Sequence, residues 1–426
     1  MKVKRREFIN LSALAAGGVI TGMGACTSTN KVNAQKSSAK DLHSMIGDLA
    51  PITVNERKSR IEKAQQLMNE QNMGALIMES GTSLTYFTGV RWWPSERTMV
   101  AIIPAKGQPI YVCPGFEETR FKELITIGED VYVWQEDESP YRQIVKALQD
   151  AGIRSGNIGM EEQLRFFIFD GVRQEAPQFN YVSGTPITMA CRIIKSPTEL
   201  ALMQKANDIT VAGMKYGISQ LHENMTQGDL SAIISDAQEK MGGRNADALV
   251  LFGESSAFPH GSVHAKPLKK GDIVLMDCGC EVYGYTSDIT RTIVFGAEPT
   301  QRQLNIWNLE QKSQIAGFAA AKNGVACEQV DAAARKVITD ADFGPGYKLP
   351  GLPHRTGHGI GMDGHEWGNM VKGNKQLIEP GMCFSVEPTI SIPGEFGIRL
   401  EDCVYITTEG PKWFSPVAKS ISEPFS

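Results

Sequence analysis

Gly271-Asp272-Ile273-Val274-Leu275-Met276-Asp277 and Gly284-Tyr285-Thr286-Ser287-Asp288-Ile289-Thr290-Arg291-Thr292 decide how this chain is read. The first run is apolar and ends in an acid, the mark of a buried strand. The second carries Asp288, Thr290 and Thr292 on alternate positions. A hairpin centred between Val282 and Tyr283 sets Asp277 directly opposite Asp288, with Cβ atoms about 5 Å apart. Two carboxylates that close, beside Ile-Val-Leu-Met, repel each other. One must take a proton, or a cation must neutralise both. A divalent metal is the economical answer.

The pattern recurs downstream. Cys383-Phe384-Ser385-Val386-Glu387 and Ile398-Arg399-Leu400-Glu401 are two more runs that end in acids, and Pro393-Gly394 lies midway between them as a turn. A hairpin centred on Gly394 sets Glu387 against Glu401. Between the two hairpins lies Gly357-His358-Gly359-Ile360-Gly361, where flanking glycines let the backbone bend closely around a ligand. Carboxylates with one imidazole suit manganese, cobalt, zinc or iron, with manganese first among them. Four carboxylates carry charge enough for two divalent cations about 3.5–4 Å apart, the usual dinuclear hydrolytic unit. Taken singly, an Asp at a strand end is more often a cap, and a Gly-His-Gly more often a loop; the joint pattern argues otherwise. A phosphate-loop reading fails because no Gly-Lys-Ser or strand-then-helix context surrounds the glycines. Of the seven histidines only His43 and His222 precede residue 250; His260, His264, His354, His358 and His365 follow it.

Outward from this centre, 426 residues suggest two domains behind a leader. A helical face of Ile61, Ala64, Leu67 and Met68 begins at Arg57 and is expected to end at Gly74. Strands are expected at 75–78, 99–104 and 109–112, and a helix at 141–151. This alternation implies an α/β domain ending near 185. Ser196, Pro197 and Glu199 form a capping box that opens a helix to about Gln220. Helical patterns recur at 228–241 and 301–322, and the rest of the second half reads as strand and glycine-rich loop. The fold class is α/β (α+β). Its expected segments are a signal at 1–34, a tether at 35–54, an N-terminal domain at 55–190 and a catalytic domain at 191–426.

Hydrophobic residues make up 42% and charged residues 21%, as in a soluble domain, and the net charge of -5 argues against nucleic acid as a partner. The eight cysteines show no paired CxxC units, so a structural zinc site is not expected. The start, Met-Lys-Val-Lys-Arg-Arg-Glu-Phe-Ile, puts a basic region before an apolar one, and Arg5-Arg6 with Phe8 resembles a twin-arginine export signal. Two cleavage sites compete. Met23-Gly24-Ala25-Cys26 resembles a lipobox, which makes Cys26 a lipidated N-terminus, and Val32-Asn33-Ala34 resembles an ordinary signal-peptidase site. The first is favoured over the second, and both over an uncleaved anchor. A periplasmic location follows.

Asp277 and Asp288 with ten residues between them, then His358, Glu387 and Glu401, resemble the ligand set of the pita-bread metallopeptidases, the M24 family of methionine aminopeptidase, aminopeptidase P and prolidase. Ser256-Ala257-Phe258-Pro259-His260, His354-Arg355-Thr356-Gly357-His358 and Gly397-Ile398-Arg399-Leu400-Glu401-Asp402 are similar to its Xaa-Pro branch. Gly74–Ile77 through Tyr86-Phe87-Thr88-Gly89 resembles that branch's creatinase-like N-terminal domain. The resemblance implies that Asp277 chelates one metal, that His358 and Glu387 hold the other, and that Asp288 and Glu401 bridge them. A hydroxide between the metals then attacks the scissile carbonyl. His260 and His365 match histidines that bind substrate or move protons, His354 supports the site, and Arg399 contacts substrate or steadies a ligand. For His264 a plain loop role is ahead, and for Tyr285, Trp92 and Trp93 core packing is at least equal to a lining role. Three positions depart from the family: Gly368 where proline is common, Thr389 where glycine is, and Ser255 where asparagine is.

The implied activity is release of the residue before proline, from a dipeptide or a longer peptide with proline second, by a homodimer. One rival is a non-peptidase hydrolase or lyase of the same fold. Creatinase-like members act without the metal set, so five intact ligands argue against them. The other rival is an inactive binding protein.

Overall fold

The computed structural model describes residues 42–47 and 49–425; the leader and Cys26 lie outside the described residues. Apart from the consecutive strands Val100–Pro104 and Ile110–Pro114, the helices and strands of the amino-terminal half alternate. They are α1 (Val54–Glu70), β1 (Met73–Glu79), α2 (Thr82–Thr88), β2 (Val100–Pro104), β3 (Ile110–Pro114), α3 (Glu118–Lys122), β4 (Val131–Trp134), α4 (Pro140–Asp150), β5 (Gly156–Met160), α5 (Phe166–Glu175), β6 (Phe179–Ser183) and α6 (Thr185–Arg192). The strands form one mixed sheet in the order β4-β3-β2-β1-β5-β6. β1 sits inside it, antiparallel to β2 and parallel to β5. Both its faces are covered, which is why it reads as an unbroken apolar run. Leu76 and Met78 pack toward α1, α2 and α6. Ala75 and Ile77 pack toward α4 and α5.

The expected helix after Arg57 starts earlier, because Thr53 caps it by accepting the Glu56 amide at 3.1 Å. It stops at Glu70, and Gly74 lies inside β1. The end of the expected tether packs rather than hanging free. The Met45 amide donates to Met241 O at 2.8 Å, and Met45, Ile46 and Leu49 lie against the core of the second half.

The carboxyl-terminal half opens with α7 (Pro197–Gln220), whose Ser196–Glu199 capping box forms as its sequence predicts, and α8 (Gln227–Lys240). Then come β7 (Arg244–Phe252), β8 (Ile273–Val282), β9 (Tyr285–Thr286), β10 (Ile289–Val294), α9 (Gln301–Ala320) and α10 (Cys327–Thr339). The last strands are β11 (Gly357–Gly359), β12 (Glu366–Met370), β13 (Cys383–Val386), β14 (Thr389–Ile392), β15 (Phe396–Arg399), β16 (Asp402–Thr407) and β17 (Gly410–Trp413). β10-β8-β7 form one sheet, with β9 pairing β8, and β12-β11-β13-β16-β17 form another. α7 and α8 cover the first sheet, and α9 packs on β13, β14 and β15. Helix α10 has no counterpart among the helical patterns expected from sequence. Among the described residues, no helix is long and apolar enough to cross a membrane.

Candidate metal centre

The β8–β10 hairpin differs from its expected register. Asp277 pairs with Thr290, not with Asp288. Tyr283 and Gly284 both take positive φ, 50° and 91°, so they form the two-residue turn and the hairpin centre moves on by one residue. The partner therefore shifts by two positions, and a shift of two keeps a side chain on the same face. Asp288 remains beside Asp277 as a diagonal neighbour.

The second hairpin has the expected register on both sides of the acids. Val386 pairs with Asp402, and Thr389 pairs with Arg399. At Glu387 and Glu401 the ladder opens. The Glu387 amide donates to Thr356 O at 2.7 Å, while Glu401 exchanges both backbone bonds with Thr290, at 3.1 and 3.2 Å. That exchange stitches one sheet to the other, and Thr290 is the stitch. Its backbone faces Asp277 on one side and Glu401 on the other, and its hydroxyl donates to Glu401 Oε2 at 2.7 Å.

His358 sits on the short strand β11, between β12 and β13. Its Nδ1 lies 3.0 Å from Gly359 O. That contact makes Nδ1 the protonated nitrogen and turns Nε2 toward Asp288 and Glu387, at 3.6 and 3.4 Å. Burial holds the ring far below the usual histidine range, at about 3, so at neutral pH the ring is uncharged and its Nε2 carries a free lone pair. The glycine permits this closeness: a Cβ on Gly359 would lie 1.7 Å from Trp367 O. Gly359→Ala is therefore expected to push β12 outward and to cost about 2–3 kcal/mol, read by urea unfolding. A variant within about 0.5 kcal/mol of the parent would show that the strands part without strain.

Three groups of donors each gather within 4.8 Å: Asp277, Asp288 and Glu401; His358, Glu387 and Glu401; and Asp288, His358 and His365. Glu401 belongs to the first two groups and Asp288 to the first and third. Their electrostatics fit bound cations. Burial pushes Asp288 well above the usual carboxylate range, and Asp277 and Glu387 push it further. Glu401 is raised in the same way, by burial and then by Asp288 and Glu387. Burial lifts Glu387 to about 7, although Arg399 opposes it. Acids built so closely that they must keep protons are acids in need of positive charge.

All the site residues named from the sequence line one cavity of about 520 Å³, together with Pro259, Pro353 and Arg355. A second lobe of about 370 Å³ shares His260, Asp277 and Asp288 with it. His260 is exposed at the junction of the two. His365 leans edge-on against His358, with ring centroids 4.2 Å apart. His354 has both ring nitrogens engaged, with Arg355 O at 2.7 Å and with Thr389 Oγ1 at 3.0 Å. Burial lowers it to about 4, so it serves as a neutral prop. The departure at Thr389 thus supplies a hydroxyl to that prop. Arg399 lies behind the acids, its guanidinium pairing with Asp277 and donating to Thr290 Oγ1 at 3.1 Å.

Four residues fall outside the cavity. His264 is exposed on a loop. Tyr285 is buried and donates to Glu199 at 2.7 Å. Trp92 packs on Phe121, and Trp93 is 87% exposed. Reading the sequence misses Arg355, a cation on the cavity wall held by Asn369 at 2.9 Å. Nothing local to it distinguishes it from a loop arginine.

Glu310, on α9, is also missed. It is fully buried, and neither carboxyl oxygen has a hydrogen-bond partner among the described residues. Burial raises it well above the carboxylate range, with Arg399 and the nearby Leu400 backbone, too far or too misaligned for a hydrogen bond, pulling back only weakly. The folded chain then keeps a proton that the unfolded chain releases, so stability falls as pH rises above about 4.5. Glu310→Gln is expected to raise the melting temperature, by more at about pH 8.5 than at about pH 5. An equal change at both would show that Glu310 ionises normally.

The profile of metallopeptidase family M24 matches residues 201–408, and that of the creatinase/prolidase N-terminal domain matches residues 60–194. An uncharacterised peptidase of Schizosaccharomyces pombe is 34% identical over 380 residues, 84% of this chain and 81% of that protein. A Xaa-Pro dipeptidase of Lactobacillus delbrueckii subsp. lactis is 30% identical over 369 residues, 85% of this chain and 98% of that protein. A solved dipeptidase from Mycobacterium ulcerans superposes with a TM-score of 0.78 at 28% identity, over 87% of this chain and 98% of that one. A solved prolidase from Thermococcus sibiricus superposes with a TM-score of 0.76 at 26% identity, over 84% and 96%. Both halves are matched in order and most of each relative is spanned, so the chain belongs to metallopeptidase family M24, with a creatinase N-terminal domain preceding its pita-bread domain.

Proposed function

We propose that this protein is a dinuclear metal-dependent exopeptidase that hydrolyses the bond before proline in Xaa-Pro dipeptides, and in peptides with proline second. The observation that carries this reading is Glu401, shared by two donor groups inside one cavity. Asp277, Asp288 and Glu401 would hold one cation, and His358, Glu387 and Glu401 the other, with manganese the first candidate. When bound, such a pair supplies Lewis acidity toward the substrate carbonyl and an activated water. His358 presents a neutral Nε2 because Gly359 takes its other nitrogen. Arg399 and Thr290 keep the acids from rotating. His260 and His365, at the cavity edge, are the candidate proton carriers. Arg355 offers a cation to the carboxylate of a short substrate, and the Xaa-Pro dipeptidase activity of the Lactobacillus relative favours dipeptides.

We further propose export by the twin-arginine route, with a periplasmic lipoprotein anchored at Cys26, and a homodimer as the working form. In support, the seven cysteines among the described residues are all free and buried, and burial raises Cys113 to about 12 and Cys191 to about 11. Such thiols suit a chain that finishes folding before it meets an oxidising compartment. Mass spectrometry of the mature N-terminus reads the anchor directly.

The test of the activity is turnover of a panel of Xaa-Pro dipeptides and longer peptides with manganese added. Hydrolysis of dipeptides at typical enzyme rates supports the reading. No turnover on any member, with metal bound, would return the chain to the non-peptidase reading; no metal bound would return it to the binding-protein reading.

A further inference from the structure

His365 hangs from the segment between β11 and β12, Ile360-Gly361-Met362-Asp363-Gly364-His365. The segment carries two glycines, and the His365 ring is exposed. A loop of that composition has no reason of its own to hold an imidazole at a fixed place beside His358. What holds it lies elsewhere in the chain. Glu366, at the loop's end, has a side chain only 2% exposed and takes Lys195 Nζ at 2.8 Å and Arg192 Nη2 at 2.6 Å. It also accepts the Met362 and Asp363 amides at 3.0 and 3.3 Å, which closes the loop on itself. Asp363 Oδ2 takes the same Arg192 Nη2 at 2.6 Å. Asp363 Oδ1 accepts the Thr82 hydroxyl at 2.5 Å.

Two of the holding groups, Thr82 and Arg192, come from the amino-terminal half of the molecule. Thr82 is the first residue of α2, just beyond the carboxyl end of β1. Arg192 ends α6, and Lys195 lies in the link to α7. Arg192 is itself fixed, its guanidinium lying 5.0 Å above the Trp367 ring. Two acids and two bases thus make a charge-balanced set, buried except for the partly exposed Asp363. Burial alone would push Glu366 up, but Lys195 and Arg192 outweigh it and hold it at about 2, so Glu366 stays a charged partner for both bases. On its other side the loop is tied to the hairpin that carries Asp288, for the Thr286 amide donates to Gly361 O at 2.9 Å.

We infer that Thr82, Arg192 and Lys195 are positioning residues for the reaction, acting through Asp363 and Glu366 to fix His365 over the cavity. Buried ion pairs add little net stability, because desolvation offsets their attraction. What they add is a single permitted arrangement. A displacement of about 1 Å at a reacting group costs up to 10²-fold in rate, so a loop of this kind needs such a clamp. On this reading the creatinase-like half is part of the catalytic apparatus: the start of its α2 and the end of its α6 hold and shape the loop of the catalytic half. The kinetic part rests on the peptidase reading above; the structural part does not.

The test uses the full-length, manganese-loaded protein, with Thr82→Val, Asp363→Ala, the double variant and Thr82→Ser. Asp363 is the safe acid to remove, since its side chain is 27% exposed and Arg192 keeps Glu366. Both single variants should melt within a few degrees of the parent and bind the same metal. Each should lose about tenfold in kcat on a Xaa-Pro dipeptide, with KM within about twofold. The double variant should be no worse than Asp363→Ala, because Thr82 acts only through that carboxylate. Thr82→Ser should keep parental kcat. Amide exchange read by mass spectrometry should quicken over 360–366 in Thr82→Val and Asp363→Ala. Unchanged kcat in both single variants, or multiplicative losses in the double, would overturn the inference. If the parent cleaves no Xaa-Pro peptide, the peptidase reading fails and exchange alone decides: unchanged protection over 360–366 then overturns the clamp, and faster exchange confined to it upholds it.

Discussion

Glu401→Gln is expected to lower kcat/KM by about 10³-fold and to leave about one bound cation per chain where the proposed dinuclear centre would hold two. The substitution keeps volume and shape, so the fold has no cause to fail. The Thr290 hydroxyl that now donates at 2.7 Å can donate to the amide oxygen instead. What changes is charge. Glu401 is the one carboxylate common to the Asp277–Asp288 group and the His358–Glu387 group, so its loss weakens both sites at once. Lewis-acid stabilisation of several kcal/mol per cation then disappears, and about 4 kcal/mol is roughly 10³-fold. Glu387→Gln, which touches only one group, is the internal comparison and should lose less metal. Plasma-source mass spectrometry of the purified variants, with kinetics at excess manganese, checks both. A Glu401→Gln protein with two cations and activity within about tenfold of the parent would remove Glu401 from the metal centre.

The parts of this centre that could be read from the sequence are those set by local rules. Pro393-Gly394 lies halfway between two acid-ending strands, and a turn there has only one symmetrical register, which the pairing of Val386 with Asp402 bears out. The first hairpin was legible as to face but not as to register. Its centre depends on a tyrosine at positive φ, and tyrosine is not a residue that announces a left-handed turn. Helix α10 leaves no start signal in the sequence because its N-cap, Ala326, has no side-chain oxygen. The least legible feature was partnership across long separations. Thr82 and Asp363 are 281 positions apart, and Arg192 and Glu366 are 174. Periodicity says which face such residues occupy, not which other face they meet. The same limit applies to Thr290, visible as a strand residue but not as the link between two sheets. It applies to Glu310 too, since a charged residue on a helix reads as surface until the packing is known.

Metal-free protein is expected to lose thermal stability as pH rises from about 6.5 to about 8.5, and manganese is expected to remove the share of that loss that the metal-site carboxyls cause. Two sets of groups oppose each other here, and their windows separate them. His358 and His354 have folded values of about 3 and about 4, below the free imidazole at about 6.5. The unfolded chain binds protons there that the folded chain refuses, so these rings destabilise as pH falls below about 6.5 and do nothing above it. Asp288 and Glu401 are raised well above the carboxylate range, and Glu387 to about 7. For these the folded chain keeps protons that the unfolded chain has already released, so stability drains as pH climbs from about 4 through the folded values. Between about pH 4 and pH 6.5 the two sets cancel in part. Above that the histidines fall silent and only raised carboxyls act, these three together with Glu310 and Glu161, which burial lifts to about 7, and the slope is downward. One retained proton lowers stability by about 1.4 kcal/mol per pH unit, or about 3 kcal/mol over the window, a shift of several degrees in Tm. A cation takes the protons' place and binds the folded chain alone, so the increase in Tm on adding manganese should be larger at the upper pH. Scanning calorimetry of chelator-treated and manganese-loaded protein at the two values measures it. A metal-free Tm that stays level or rises across the window, or a manganese effect that is the same at both ends, would mean that these carboxyls are not crowded together in solution, and the metal centre inferred from their crowding would lose its physical basis.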